Sequence, residues 1–312
     1  PLQDGVALFW SSGDEVVGTV EDGVVTALAA GEATITASVG ESKATCTVTV
    51  AYVAPKIGDY YYSDGTWSDG GLRKIYADGS MHIDYYKPVP LRGKTVVGIV
   101  FQTDLSRIGA KEKEKLGVGK VHGLVMAIKD ATRERVTWSN ESQSLDFLKP
   151  CVSKSDNYSD ISGYGNCELI RSLADNFNNY PAFKAADDYN TTCPVPATTT
   201  GWYLPASGQW WDILQNLGGC TALAKPDEQA SSQDDDFGWS GQGDVPAALN
   251  AWMEKIATDS KDIFRSGRWF WSSSEYSEFF ARYWYVQSNG RVGCYWARKD
   301  GSSVGVRPVL AF

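Results

Sequence analysis

Positive charge, histidine and paired cysteines are what this 312-residue sequence has little of. Lysine and arginine number 29 against 38 aspartates and glutamates, a net charge of −9, and no run of basic residues occurs. Nucleic acid is held by concentrated cationic surface, so it is excluded as a partner. No apolar stretch approaches the roughly 20 residues that a helical membrane span needs, so no transmembrane segment is expected. No charged-then-apolar leader opens the sequence either. The first residue is Pro1, which reads as a processed or trimmed chain, with a lipid anchor upstream compatible with that reading. Six cysteines, at 46, 151, 167, 193, 220 and 294, contain no CxxC spacing, so no metal site is expected from thiolates. Cys46 lies in the alternating ATCTVTV and is expected to be a lone buried thiol. Among Cys151, Cys167, Cys193 and Cys220, one or two bridges stay open in an oxidising compartment, with no connectivity preferred. His122 sits in an apolar strand and His82 has no nucleophile motif near it, so no catalytic residue, no enzyme and no cofactor is expected.

What is present is aromatic: 12 Trp and 16 Tyr in a chain that is otherwise ordinarily globular, 43% hydrophobic and 21% charged with 31 glycines. Tyr and Trp carry large contact area with a polar handle, which suits recognition surfaces as well as cores. The length favours one small and one larger domain. Residues 6–50 alternate in short Val/Thr-rich segments broken at Glu21-Asp22-Gly23, Gly31 and Gly40, the pattern of an all-β sandwich. The connector AYVAPKIG at 51–58 ends that pattern. Beyond it, TVVGIVFQT and HGLVMAIKD read as central strands, and a helical repeat runs roughly over 166–189 until Pro181. Ser207 is expected to cap a helix over GQWWDILQNLGG, and Asp244 one over VPAALNAWMEKIA. Trp202, Trp210 and Trp271 are expected in the core.

Two resemblances follow from particular strings. The segment WSSGDEVVGTVEDGVVTALAAGEATITASVGESKATCTVTV resembles the later strands of a group 2 bacterial immunoglobulin-like domain, which implies an incomplete Ig-like domain at 1–52. TGWYLPASGQWWDIL, WFWSSSEYS and VRPVLAF resemble bacterial proteins of the formylglycine-generating-enzyme branch of the C-type lectin fold, and within it the variable proteins diversified by retroelements. That resemblance implies an α+β C-type-lectin-like domain at 56–312 after the all-β Ig-like sandwich. It also implies ligand binding without chemistry. Adenine-directed mutagenesis of AAC codons yields NNC codons, which never encode Trp, Gln or Lys. Under it Phe279, Phe280, Arg282, Tyr283, Tyr285, Arg291, Gly293, Tyr295, Arg298, Asp300, Ser302 and Ser303 are candidate ligand-binding positions, while Trp284, Gln287, Trp296 and Lys299 are scaffold.

Strand parity is a separate argument. A three-residue loop Ser288-Asn289-Gly290 with Gly290 left-handed gathers Trp284, Val286, Val292, Cys294 and Trp296 on a core face. Tyr283, Tyr285, Gln287, Arg291, Gly293 and Tyr295 then form the opposite, exposed face, of the composition that hot spots favour. The acidic loop with Asp234, Asp235, Asp236 and Asp244 lacks EF-hand spacing and reads as solvated rather than calcium-binding. The expectation is a surface-displayed, adhesin-like bacterial protein, extracellular or on the outer surface, with a protein or glycan ligand. The rivals are an enzyme related to formylglycine-generating oxidases, which needs a copper-binding cysteine pair where only Cys294 lies, and a structural subunit of a surface fibre.

Overall fold

The computed structural model describes residues 7–27, 30–117, 119–173, 176–224 and 236–312. It divides into two compact units, Pro1–Ala54 and Pro55–Phe312. In the first, β1 (Phe9–Ser12), β4 (Gly31–Val39) and β5 (Ser42–Val50) form an antiparallel sheet in the order β1-β4-β5, and β2 (Gly18–Glu21) pairs with β3 (Val24–Ala27). Asp22 and Gly23 both take positive φ, 48° and 81°, which turns the β2–β3 hairpin tightly. The buried residues of this unit are Val17, Ala33 and Ile35. Cys46 is exposed, contrary to the buried thiol expected: it lies on β5, the sheet's edge strand, opposite Ile35 of β4.

The second unit contains β6 (Tyr60–Tyr62), β7 (Trp67–Ser68), β8 (Leu72–Ile75), β9 (Met81–Ile83), β10 (Val96–Gln102), α1 (Ala110–Leu116), β11 (Leu124–Ala127), α2 (Lys154–Ser159), α3 (Gly163–Leu173), α4 (Pro181–Thr192), α5 (Ser207–Asn216), β12 (Phe237–Trp239), α6 (Val245–Ala251), β13 (Arg268–Glu275), β14 (Phe280–Val286), β15 (Val292–Arg298) and β16 (Val309–Ala311). One sheet runs β16-β11-β10-β6-β7, with the fully buried, β-branched β10 at its centre; another runs β12-β15-β14-β13. Helix α5 packs between them, in contact with β10, β13 and β14. Trp202, Trp210 and Trp271 are all buried, and Trp210 Nε1 donates to Trp271 O at 3.0 Å.

Local expectations fail where one residue is asked to do two things. The repeat over 166–189 is two helices, because Pro181 is tolerated at the first turn and starts α4 rather than ending a longer helix. The cap of α5 is Ala206, whose N–H donates to Gln209 Oε1 at 2.9 Å, while Ser207 Oγ instead accepts Trp284 Nε1 at 2.8 Å. Asp244 does cap α6, accepting from Ala247 N at 3.0 Å. The α+β C-type-lectin-like fold expected for 56–312 is not adopted. The described residues form sixteen strands and only six short α-helices, a mostly β architecture. The strings behind that resemblance set a turn, a helix and an edge locally; sheet order is decided by long-range pairing that they do not encode.

Candidate functional site

The β14–β15 hairpin fixes the site. Its register is Val286↔Val292, Tyr285↔Gly293, Trp284↔Cys294 and Tyr283↔Tyr295, closed by Gly290 at φ 80°. Trp284, Val286, Val292 and Cys294 therefore face α5 and are buried. On the opposite face, β13 adds Trp269 beside Tyr285 and Trp271 beside Tyr283, and β12 adds Gly238 beside Gly293. Trp271 is covered, its Nε1 donating to Val136 O at 2.8 Å, whereas Trp269 stands 40% exposed.

Trp269, Tyr283, Tyr285, Gln287, Arg291 and Tyr295 line an open depression of about 180 Å³. The Trp269 and Tyr283 rings lie 5.3 Å apart with planes 31° from parallel, and Tyr283 and Tyr295 6.2 Å apart at 25°. Tyr285 lies down as the floor. A Cβ on Gly293 would meet its ring at 2.7 Å, and one on Gly238 its hydroxyl at 3.1 Å, so the two glycines make room for it. Burial pushes the Tyr283 phenol up to about 12. Burial also raises Tyr285, helped by its contact with Tyr295 and opposed by Arg291. The surface thus presents phenol hydroxyls, one amide and one guanidinium over aromatic rings.

The twelve candidate positions do not form one face. Tyr283, Tyr295, Arg291, Tyr285 and Gly293 come together here, although Tyr285 (6% exposed) and Gly293 are buried rather than exposed. Arg282 is fully buried, because parity points it inward, where Nε and Nη2 donate to Cys151 O at 2.8 Å and Val152 O at 3.0 Å. Phe280 shares that inward parity and meets Trp296 at 4.5 Å. Trp296, expected to be buried, is 37% exposed beside the fully buried Arg282 with which it pairs, and packs on the Tyr276 ring at 5.8 Å and the Phe280 ring at 4.5 Å. Phe279 is exposed, Arg298 pairs with Asp300 at 3.1 Å on the surface, and Ser302 and Ser303 lie in the following loop. Gln287, excluded by the codon argument, lines the depression, and Trp269 was missed; alternation through Arg268–Glu275 places it on the same side as Tyr285.

Elsewhere, all six cysteines are unbridged. Among the described residues no group of three or more metal-ligating side chains occurs, and no helix is long and apolar enough to cross a membrane. Asp234 and Asp235 of the acidic loop lie outside the described residues.

No family model matches the sequence. Over 239 residues, 70% of the chain, it is 24% identical to a Bacteroides ovatus protein named "Putative fimbrium tip subunit Fim1C", 39% of whose length is covered. A crystal structure of a fimbrial protein from Bacteroides ovatus matches with a TM-score of 0.54 at 17% identity, over 98% of this chain and 64% of that one. The chain has the fold of a fimbrial protein. That match overturns the C-type-lectin-like expectation, and neither relative is named as a lectin, an oxidase or a retroelement-diversified protein. The chain spans less than two thirds of either relative's length.

Proposed function

We propose that this chain is part of a fimbrial subunit, a structural component of a surface fibre that also presents an adhesin-like binding face. Its location is extracellular, at the bacterial outer surface. The observation carrying the reading is the similarity, across most of the chain, to a protein named as a fimbrium tip subunit. The aromatic depression on β13–β15 supports the adhesive part, because Trp, Tyr and Arg on rigid strands lose little entropy on contact. The N-terminal unit serves as an Ig-like spacer. Other proteins of the fibre are its partners. An oxidase-like role gains nothing from Cys294, whose buried thiol is pushed up to about 11, far from a reactive thiolate. Immunogold labelling of intact cells with antibody to residues 55–312 tests the proposal. Gold on surface fibres, lost on deletion of the gene, is expected; label confined to the cell interior would reject it.

A further inference from the structure

A second cavity of about 530 Å³, lined by Trp67, His122 and Phe312 among others, presents no set of groups that selects one ligand chemistry. Exposed Tyr85 and Tyr86, 90% and 84% accessible, form a loop patch with nothing to indicate what covers it. The β13–β15 depression is different, because its composition discriminates.

We infer that the row Trp269, Tyr283 and Tyr295 binds a neutral carbohydrate chain, its pyranose rings lying on the aromatic faces while Gln287 and Arg291 meet their hydroxyls. This deepens the surface-display reading and rests on it. Among the described residues every one that lines the depression is aromatic or hydrogen-bonding, and no Leu, Ile, Val or Met contributes. Small-molecule pockets are by contrast mostly apolar and bury most of the ligand. An open depression of about 180 Å³ cannot do that. It suits a chain that lies across it and stays largely in solvent. Sugar rings alternate C–H patches with hydroxyls, and the electron-rich ring face attracts the former. The three rings follow one another at 5.3 and 6.2 Å along the depression, so a chain lying across it meets them in succession. The Tyr hydroxyls, the Gln287 amide and the Arg291 guanidinium supply donors and acceptors for the latter.

Charge selects the neutral class. Among the described residues the cations at the row are Arg291 and Arg135, whose guanidinium lies over the Trp269 ring at 5.9 Å; Asp236, just before β12, acts on Tyr283, and the chain carries a net −9. A sulfated or uronate polymer requires a cluster of cations that this face lacks.

The test is an array of neutral and anionic glycans probed with the full chain, Gln287→Ala, Trp269→Ala and Trp269→Ala/Tyr283→Ala, with hits titrated by calorimetry. Neutral hexose glycans should retain the wild type. The double variant should lose at least tenfold in affinity while its melting temperature falls by only about 2–4 °C, and the single variants should lose less. Should the double variant unfold, Trp269→Ala and Gln287→Ala carry the test. No retained glycan, retention indifferent to these substitutions, a preference for anionic glycans, or capture of only a fibre protein through this row would each overturn the inference. Immunogold labelling of the same cells separates the two failures. Labelled fibres without glycan binding sink this inference alone, and unlabelled fibres sink the reading beneath it.

Discussion

At the scale of single residues, Arg282 and Tyr283 are chain neighbours with opposite fates. The Arg282 side chain holds the carbonyls of Cys151 and Val152 inside the protein, with its guanidinium over the Tyr276 ring at 4.5 Å. Arg282→Ala leaves buried acceptors unpaired, and hydrogen bonds to charged groups are each worth roughly 1.5–3 kcal/mol, so it should cost about 3 kcal/mol or more in urea unfolding. Tyr283→Ala removes a half-buried ring and should cost roughly 1 kcal/mol. If the two variants proved equally stable, the inward assignment of Arg282 would be wrong. Asp59 gives a pH signature. Its carboxylate accepts from Lys56 N at 2.8 Å and Gly70 N at 3.2 Å, but burial outweighs these bonds and raises it to about 6. The folded state then binds a proton more tightly than the unfolded state, whose value is 3.8. This contribution is fully present below pH 3.8 and is lost as pH rises through about 6. Comparing the wild type with Asp59→Asn, the wild type should gain relative stability on acidification from pH 7 to 4; a difference independent of pH would show that Asp59 is not held in this environment.

At the scale of elements, the hairpin shows both how far sequence carries and where it stops. Its register was legible because Gly290 supplies a left-handed residue and alternation leaves only one loop length that keeps Trp284 and Cys294 together. That Trp296 would stand 37% exposed beside a fully buried Arg282 was not legible, since what covers this end of the face is the distant segment at Cys151 and Val152, which meets Arg282. Tyr285 was placed on the correct side but not recognised as floor, because its burial rests on the close approach of Gly238 from β12, a pairing distant in sequence. Gly293→Ala tests this arrangement. The new methyl would lie 2.7 Å from both Phe237 O and the Tyr285 ring, and overpacking of this kind costs roughly 1–3 kcal/mol. Gly290→Ala should cost about 1–2 kcal/mol through its φ of 80°, and somewhat more because the new methyl would lie 3.0 Å from Gln242 N, while leaving the Tyr285 floor untouched. Thermal melts that ranked Gly293→Ala as neutral would mean that Tyr285 does not lie over that glycine.

At the scale of the whole molecule, the two compact units meet at Ala54 and Pro55, in the stretch where Val/Thr alternation gives way to Asp-Gly turns and long apolar strands; the sheet order that separates a fimbrial fold from a lectin-like one was set by pairings no local string contains. The two units differ in what holds them. Residues 55–312 bury eight tryptophans to below 2% exposure among their largest side chains, together with the ion pairs Arg107–Asp212 at 3.0 Å and Arg307–Asp130 at 2.8 Å. The N-terminal unit buries Val17, Ala33 and Ile35, and leaves Phe9 66% and Val24 68% exposed. A unit of about 50 residues with so small a core is marginal, since the fraction of surface buried on folding falls with size. Calorimetry of the full chain should therefore show two transitions, a low one of small enthalpy from residues 1–54 and a high one from residues 55–312. The fragment 55–312 should keep the upper transition within about 2 °C and retain whatever binding the full chain shows, since the aromatic row lies wholly within it. A single cooperative transition, or a fragment melting well below the full chain, would mean that the N-terminal unit is part of the same cooperative structure.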